Sequence, residues 1–318
     1  MIGVREPKGT SAGQSCMNPA SMRSIVFSLA VVANALLAAG AKTCDDPASA
    51  IKHPGPASTK TAPPEAASPM VRVAGIVLKW IRGEREANFR RLEPLLRQAA
   101  AGGARIVCTT ECFLDGYAIA DKTIPLETYR ALGERIPDGP YCRRLAALAR
   151  ELKIHLVAGV LEADGDNRYN AAVLLGPDGN LVGKYRKQML EHESVRNTPG
   201  SSTPVFKTPF GRIGLVICAD RRNPDIVRRM REAGADFIIC PSGGMFGPKS
   251  NDPILQARSR ENKVHIVFVH PAEFLVTGPD GSVLFQSVLG DRLLIRADEV
   301  GSSADRNQVF YFDVPLPG

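Results

Sequence analysis

The stretch that decides the fold lies between residues 214 and 225 and reads Gly214-Leu215-Val216-Ile217-Cys218-Ala219-Asp220-Arg221-Arg222-Asn223-Pro224-Asp225. Its apolar start is typical of a buried strand, which is expected to end at Cys218. An Asn followed by a Pro is a good N-cap and first helical position, so Asn223 and Pro224 predict the start of a helix. The stretch therefore predicts a strand that turns into a helix, with Cys218 on the bend.

Two interpretations of Cys218 are open at this point. A sharp bend would expose the sulfur near a helix N-terminus and would leave the Ala219 N–H free to bind a developing oxyanion. Alternatively, Cys218 is a core residue, because free cysteine is among the most buried residue types. The segment alone favours neither interpretation, so the rest of the chain has to decide between them.

The composition is that of an ordinary globular protein, with 318 residues of which 44% are hydrophobic, enough for a sizeable core. The formal charge of +7 comes mostly from arginines scattered over predicted helix faces. Because they are not interleaved with aromatic residues and no nucleic-acid-binding motif is present, no nucleic-acid partner is expected. The seven cysteines include no C-x-x-C pair and no clustered histidines, so no metal site is expected.

The amino-terminal part, residues 1–41, is predicted to be a leader that contains a signal peptide. A charged start precedes an apolar core at 25–39, and Ala39-Gly40-Ala41 fits a small-x-small cleavage pattern. Residues 42–69 are rich in Pro, Ala, Ser and Thr, which predicts a linker. We therefore expect export to the periplasm or the extracellular space, with an uncleaved membrane anchor as the alternative.

The folded part is predicted to be one domain over residues 70–318. It opens with a strand over 71–78, a helix over 86–101 and a strand over 104–109, and the alternation then continues. Further short strands are expected around Phe274, Val283, Leu293 and Phe310. Strands that alternate with helices and are interleaved with hairpins predict a layered α/β sandwich rather than an all-parallel sheet.

Three charged residues stand at or just after strand ends elsewhere in the chain. Glu111 follows the strand at 104–109, Lys187 follows a strand at 181–186, and Glu193 comes shortly afterwards. Taken singly, such residues are most often exposed surface charges. Taken together with a cysteine at another strand end, they are the residue types that activate a thiol and stabilise a tetrahedral intermediate.

These segments resemble the carbon-nitrogen hydrolase (nitrilase) superfamily from Val71 to about Pro315. The Glu motif of that family, an acidic residue before a Gly-Tyr pair, matches Glu111 with Gly116-Tyr117. The other matching segments are Tyr185-Arg186-Lys187, the Cys-x-Asp-x-Arg-x-Pro pattern at Cys218, Asp220, Arg222 and Pro224, and the flanking pair Tyr169-Asn170. Several motifs in the family order are far more specific than any one of them.

The resemblance implies a fold and a set of roles. The implied fold is α/β, an α-β-β-α four-layer sandwich of the carbon-nitrogen hydrolase type. The resemblance implies that Glu111 is the base and Lys187 the oxyanion stabiliser. It implies that Cys218 is the nucleophile and Glu193 the second carboxylate of the site. Candidate contacts to the oxyanion or the substrate are Ala219 and Tyr117. No cofactor is implied, and because family members commonly self-associate, a homodimer is expected.

The chain departs from the family pattern beside the nucleophile. Ala219 and Asn223 stand where members often carry aromatic residues, and Asp225 replaces the usual Glu. The pocket wall is therefore expected to be roomier or more polar. Arg221 and Arg222 would suit an anionic substrate, although Arg222 matches a family position and is expected to form a structural ion pair.

The sequence thus predicts a thiol hydrolase that cleaves a non-peptide C–N bond in a small amide or N-carbamoyl compound through an acyl-enzyme on Cys218. Several alternatives stay open. Within the superfamily, the chain could be a nitrilase or an acyltransferase. It could also be a Cys-His hydrolase that uses His192 as its base, or a catalytically silent secreted binding module.

Overall fold

A computed structural model describes residues 69–244 and 247–316, so the predicted leader and nearly all of the predicted linker lie outside the described residues. The strands, numbered β1 to β12 in chain order, are Met70–Val77, Ile106–Cys108, His155–Asp164, Asn167–Leu175, Leu181–Arg186, Val205–Thr208, Gly211–Leu215, Phe237–Pro241, His265–His270, Glu273–Thr277, Val283–Val288 and Gln308–Pro315. The α-helices α1 to α5 are Arg85–Ala101, Leu126–Ala131, Pro140–Leu152, Pro224–Glu232 and Pro248–Asn262.

The strands form two six-stranded mixed sheets with matching arrangements. The first sheet has the order β12-β1-β2-β3-β4-β5, and the second has the order β11-β10-β9-β8-β7-β6. At the centre of each sheet three strands are parallel, β1 to β3 in the first and β7 to β9 in the second. The remaining neighbours pair antiparallel. Because antiparallel strands flank the parallel centre, neither sheet is all-parallel, as predicted.

The two sheets pack face to face around one apolar core. Val73 of β1 and Ile106 of β2 share this core with Ile239 of β8 and Val267 of β9, and all four are fully buried. Gly75 of β1 shows how closely the sheets approach, since a Cβ atom there would lie 2.3 Å from Cδ2 of Phe274. A larger residue at this position would push the sheets apart.

Helices cover the outer face of each sheet. On the first sheet, Leu96 of α1 and Leu145 of α3 lie in a second apolar core together with Val107 of β2. On the second sheet, α4 buries Met230 and α5 buries Leu255. The layers therefore run α-β-β-α, as the family resemblance implied. Within residues 69–244 and 247–316, no helix is long and apolar enough to cross a membrane.

The helix after the bend begins where the sequence predicts. Helix α4 starts at Pro224, and the side chain of Asn223 accepts a hydrogen bond from the Asp225 N–H at 3.0 Å. The bend itself differs from the prediction, because β7 ends at Leu215 and Cys218–Arg222 forms a 3-10 helical turn. The nucleophile candidate therefore lies at the start of this turn rather than on the last residue of the strand.

The strand expected around Leu293 is wrong. Leu294 forms only an isolated bridge with Trp80, held by backbone hydrogen bonds from Trp80 N–H to the Leu293 oxygen and from Ile295 N–H to the Trp80 oxygen. The bridge lies beyond the end of β1, which stops at Val77, so the segment is held at one residue without a continuous ladder of strand hydrogen bonds.

Candidate active site

Cys218 sits in a strained backbone conformation at the start of its turn. Its φ is +44°, in the left-handed region that non-glycine residues seldom adopt. The carboxylate of Asp220 closes the turn by accepting a hydrogen bond from the Ile217 N–H at 3.0 Å. Cys218 is only 4% exposed, yet it lines a cavity, so its sulfur faces a small enclosed space rather than bulk solvent.

Asp220 also ties this turn to the end of β5. Its Oδ1 accepts hydrogen bonds from the N–H groups of Gln188 at 3.1 Å and Met189 at 2.8 Å. Its Oδ2 accepts a hydrogen bond from the Tyr185 hydroxyl at 2.8 Å. Because Lys187 lies between these partners in the chain, the same carboxylate holds the nucleophile turn and the lysine in a fixed relation.

Glu111 lies on the turn that follows β2, where the two sheets meet. Its N–H donates a hydrogen bond to the carbonyl oxygen of Ser242, the residue after β8, at 3.2 Å. Gly159 allows this turn to lie close to β3, because a Cβ atom at Gly159 would clash with the carbonyl oxygen of Thr110 at 2.5 Å. The turn therefore directs the Glu111 side chain into the interior, where it is fully buried.

Three of the four predicted catalytic side chains form one buried cluster. The Nζ of Lys187 donates hydrogen bonds to Oε1 of Glu111 at 2.7 Å and to Oε1 of Glu193. The Nδ2 of Asn170 donates to both carboxylates, at 2.7 Å to Oε1 of Glu111 and at 3.0 Å to Oε2 of Glu193. None of these four side chains is more than 2% exposed. The cluster is therefore buried, and its charges act on one another with less screening than they would at the surface.

Glu193 rather than Glu191 contacts the lysine. Glu191 is exposed, and its carboxylate pairs with the guanidinium of Arg222 at 2.5 Å. The geometry therefore agrees with the placement of the second carboxylate at Glu193. It also shows the ion pair that the sequence predicts for Arg222.

The two carboxylates of the cluster have opposite pKa shifts. Burial and the charge of Glu193 raise the pKa of Glu111, although Lys187 opposes the shift. Burial also acts to raise the pKa of Glu193, but Lys187 and the hydrogen bonds from Asn170 and Tyr117 outweigh it, and that pKa is lowered. Burial acts to lower the pKa of Lys187, but the two carboxylates raise it well above its ordinary value. Glu111 is therefore the member of the cluster suited to exchange a proton.

A cavity of about 150 Å³ opens onto this cluster. The predicted site residues that line it are Lys187, Cys218, Ala219 and Tyr117. The hydroxyl of Tyr117 donates a hydrogen bond to Oε1 of Glu193 at 3.0 Å, so Tyr117 joins the cavity wall to the buried carboxylates. A larger cavity of about 350 Å³ lies against His270 and Glu273 and is lined by none of the predicted site residues.

His192 lines the same small cavity as Cys218. Its Nε2 lies 3.5 Å from the Tyr117 hydroxyl, and burial lowers its pKa. In the described part of the chain its ring makes no hydrogen bond to Cys218. The contacts therefore make His192 a neighbour of Tyr117, and its role as an alternative base stays a hypothesis.

Sequence reasoning missed two functional candidates. Asn170 bridges Glu111 and Glu193, and the only signal for it was the resemblance of Tyr169-Asn170 to a family segment. Arg221 was expected to face an anionic substrate, but its Nη1 also lies 3.5 Å from Sγ of Cys218. That contact depends on the 3-10 geometry of the turn, which the sequence pattern does not reveal.

Two facing mixed sheets covered by helices are the architecture of nitrilase-superfamily structures. Residues 72–297 match the carbon-nitrogen hydrolase family, and the chain belongs to that family. The protein is therefore a carbon-nitrogen hydrolase, as the motifs around Glu111, Lys187 and Cys218 indicated.

Two relatives of known name are similar to this chain in sequence. The chain is 33% identical over 202 residues to a nitrilase from Pyrococcus abyssi, a match that covers 62% of this chain and 74% of the relative. It is 32% identical over 200 residues to the human omega-amidase NIT2, with coverage of 58% and 69%.

Solved structures agree with the fold. Saccharomyces cerevisiae Nit3, a member of branch 10 of the nitrilase superfamily, superposes with a TM-score of 0.66 at 23% identity, over 79% of this chain and 93% of that one. An amidase from Nesterenkonia sp. superposes with a TM-score of 0.62 at 21% identity, over 77% and 90%. At these identities the structures establish the shared architecture.

Proposed function

We propose that this carbon-nitrogen hydrolase cleaves a small amide or N-carbamoyl compound through a thioester on Cys218, with Glu111 as general base and acid and Lys187 as oxyanion stabiliser. The observation that carries the proposal is the buried cluster of Glu111, Lys187 and Glu193, whose lysine lines the same cavity as Cys218. A cation and a thiol that line one cavity, with a carboxylate hydrogen-bonded to the cation, are the groups that acyl transfer needs.

The reaction takes two steps. Glu111 accepts the thiol proton, and the sulfur of Cys218 attacks the substrate carbonyl carbon, whose oxygen becomes an oxyanion. Lys187 and the Ala219 N–H are the donors that we assign to this oxyanion. The oxyanion collapses, the C–N bond breaks, and Glu111 gives its proton to the leaving nitrogen. Glu111 then deprotonates a water molecule, whose oxygen attacks the thioester; the C–S bond breaks, the acid leaves, and the proton on Glu111 can return to the thiolate to restore the starting state.

The protonation tendencies of the cluster support these roles. A group that accepts and later donates a proton works best when its pKa approaches the working pH, and the pKa of Glu111 is raised in that direction. Lys187 has to stay charged, and its pKa is raised well above the ordinary value. The lowered pKa of Glu193 suits a carboxylate that stays ionised and holds the lysine in place.

The size and lining of the cavity support a small substrate. Its volume of about 150 Å³ lies below the roughly 300 Å³ at which drug-sized ligand pockets begin. Arg222 lines it as well, which supports an acid or another anionic group on the substrate. The named relatives include a nitrilase and an omega-amidase, so nitriles and amides are the two substrate classes to compare.

Ammonia release from a panel of small amides, N-carbamoyl acids and nitriles tests this proposal. We expect turnover of amides or N-carbamoyl acids and none with Cys218→Ala. Lys187→Ala should abolish turnover while His192→Ala retains most of it, and the reverse pattern would support a Cys-His hydrolase. A panel in which the wild type and Cys218→Ala are equally inactive would favour a silent binding module. Transfer of the acyl group to an added amine would identify an acyltransferase.

We also propose that the protein is exported and that it forms a homodimer. Export is supported by the apolar core at 25–39, the cleavage pattern after it and the linker at 42–69. Amino-terminal sequencing of the mature protein should find a start near residue 42, whereas an intact Met1 on a cytoplasmic form would contradict export. Light scattering should give twice the chain mass, and a monomer would contradict the dimer.

A further inference from the structure

Arg221 is a buried cation in contact with the candidate nucleophile. The residue is 2% exposed, and its Nη1 donates a hydrogen bond to Sγ of Cys218 at 3.5 Å. Its Nη2 donates to Oδ1 of Asn251 in α5 at 2.5 Å, and its guanidinium carbon lies 5.6 Å from the centre of the Phe268 ring. Its Nε has no hydrogen-bond partner within residues 69–244 and 247–316. The guanidinium is therefore held from one side by α5 and faces the sulfur on the other.

The guanidinium has no carboxylate partner of its own in the described part of the chain. The groups that act on its charge are first Cys218 and then, more weakly, Cys240 and Glu111. Burying an unpaired charge is costly, so a buried cation needs a counter-charge close by. The thiol of Cys218, hydrogen-bonded to the guanidinium at 3.5 Å, can become such an anion.

The position of one proton decides how the charges of the site pair. If Cys218 keeps its proton, the carboxylates of Glu111 and Glu193 both pair with Lys187, and Arg221 has no anion beside it. If the proton moves to Glu111, Lys187 pairs with Glu193 and Arg221 pairs with the thiolate. The second arrangement gives each cation its own anion, and a charge-assisted hydrogen bond to sulfur replaces an unpaired charge.

We propose that Arg221 is a catalytic residue that holds Cys218 as a thiolate before the substrate binds, with the thiol proton resting on Glu111. The S–H bond breaks, an O–H bond forms on the Glu111 carboxyl group, and no reagent from outside the site is needed. The raised pKa of Glu111 agrees with this direction of transfer. The pairing of Arg221 with the Cys218 thiolate does not depend on the proposed function; only the later attack of that thiolate on a substrate carbonyl does.

Of the other groups that act on the sulfur, Lys187 is also a cation, but its ammonium already pairs with Glu111 and Glu193. Lys187, Tyr117 and Cys240 each interact electrostatically with Cys218 from separate elements. Burial raises the pKa of Tyr117 and of Cys240, so both stay neutral. Asp220 lies on the same turn, but its oxygens accept hydrogen bonds from backbone and tyrosine donors. Arg221 is therefore the cation whose removal should change the sulfur most directly.

The test measures how fast Cys218 is alkylated, which needs no turnover. Wild type, Arg221→Met and Arg221→Lys are treated with neutral iodoacetamide and with anionic iodoacetate over a range of pH, and the Cys218 peptide is quantified by mass spectrometry. Arg228→Met is the control, because Arg228 carries the same charge on the exposed side of α4 and pairs with Asp225 and Glu232.

We expect Arg221→Met to slow iodoacetamide alkylation at neutral pH by about 10- to 100-fold, as loss of a charge-assisted hydrogen bond implies. The pH midpoint of alkylation should move upward, and the limiting rate at high pH should change little. Arg221→Lys should fall between wild type and Arg221→Met, and Arg228→Met should match wild type. If circular dichroism shows that Arg221→Met does not fold, Arg221→Gln keeps a donor without the charge and carries the same expectation.

Two results would overturn the assignment. One is an iodoacetamide profile of Arg221→Met that equals the wild-type profile. The other is a loss confined to iodoacetate, because that pattern would make Arg221 a reader of substrate charge rather than a partner of the sulfur. A wild type that releases no ammonia from any amide, yet loses iodoacetamide reactivity in Arg221→Met, would contradict the proposed function and leave this assignment standing.

Discussion

Replacing Lys187 by methionine should show how much the ion pairs of the buried cluster contribute to the free energy of unfolding. The change keeps an unbranched side chain but removes the ammonium that pairs with Glu111 and Glu193, both fully buried. Removing one partner of a buried ion pair costs about 3–5 kcal/mol, because it leaves an uncompensated charge. We therefore expect the free energy of unfolding at neutral pH to fall by about that amount in Lys187→Met.

The loss should depend on pH with a defined sign. Without Lys187, the two neighbouring carboxylates repel each other, so one of them holds a proton in the folded state and its folded pKa rises above the unfolded value of about 4.3. The folded protein then binds more protons than the unfolded chain between these two pKa values. The stability that this carboxyl group contributes to the variant is therefore fully present below about pH 4.3 and is lost as the pH rises through the folded pKa, so the gap between wild type and variant widens with pH.

Urea denaturation across this pH range, read by tryptophan fluorescence and circular dichroism, measures the effect. Lys184→Met is the matched control, because Lys184 is partly exposed and its partner Glu162 also pairs with Arg186. Its loss should stay below about 1 kcal/mol. Adding Glu193→Gln to Lys187→Met should recover much of the stability at neutral pH. A loss of less than about 1 kcal/mol in Lys187→Met, or one that does not vary with pH, would refute the description of the cluster.

Three further predictions concern other contacts. Asp220→Asn weakens four hydrogen bonds that hold the nucleophile turn, so urea denaturation should show a loss of about 1–3 kcal/mol; an unchanged midpoint would contradict this. Gly75→Ala places a Cβ atom 2.3 Å from Cδ2 of Phe274 and should cost about 1–3 kcal/mol in a thermal or urea unfolding experiment. Tyr117→Phe removes the hydroxyl bonded to Glu193 and should lower kcat/KM by about tenfold, and full activity would argue against that contact.

Much of the fold could be predicted because the spacing of apolar residues along the sequence indicates which side chains are buried. The strand-helix-strand opening, the strand at Leu181–Arg186 and the start of α4 at Pro224 all follow from apolar spacing and capping residues. Strand β6 and helix α2 were not predicted. Val205–Thr208 is a four-residue edge strand and Leu126–Ala131 is a six-residue helix. Both are too short to show a repeating pattern of apolar residues. Leu293 shows the opposite error, since an apolar residue was buried without belonging to a strand.

The site was predictable where residues stand at strand ends and match a family motif. Glu111, Lys187 and Glu193 meet because the turns after β2 and β5 converge where the two sheets join. The bridging role of Asn170 was not predictable, because a polar residue inside a strand does not reveal its partners. Nor was the contact of Arg221 with the sulfur, which arises from the positive φ of Cys218 and the turn that follows it.

The central claim is that Cys218 carries the acyl group during turnover, and its most direct test is intact-protein and peptide mass spectrometry after rapid acid quench with an amide that the enzyme hydrolyses. We expect the mass of the acyl group on the Cys218 peptide of the wild type, reversed by hydroxylamine as a thioester should be, and no adduct on Cys218→Ala. An adduct on another residue, or steady turnover by Cys218→Ala, would contradict the account.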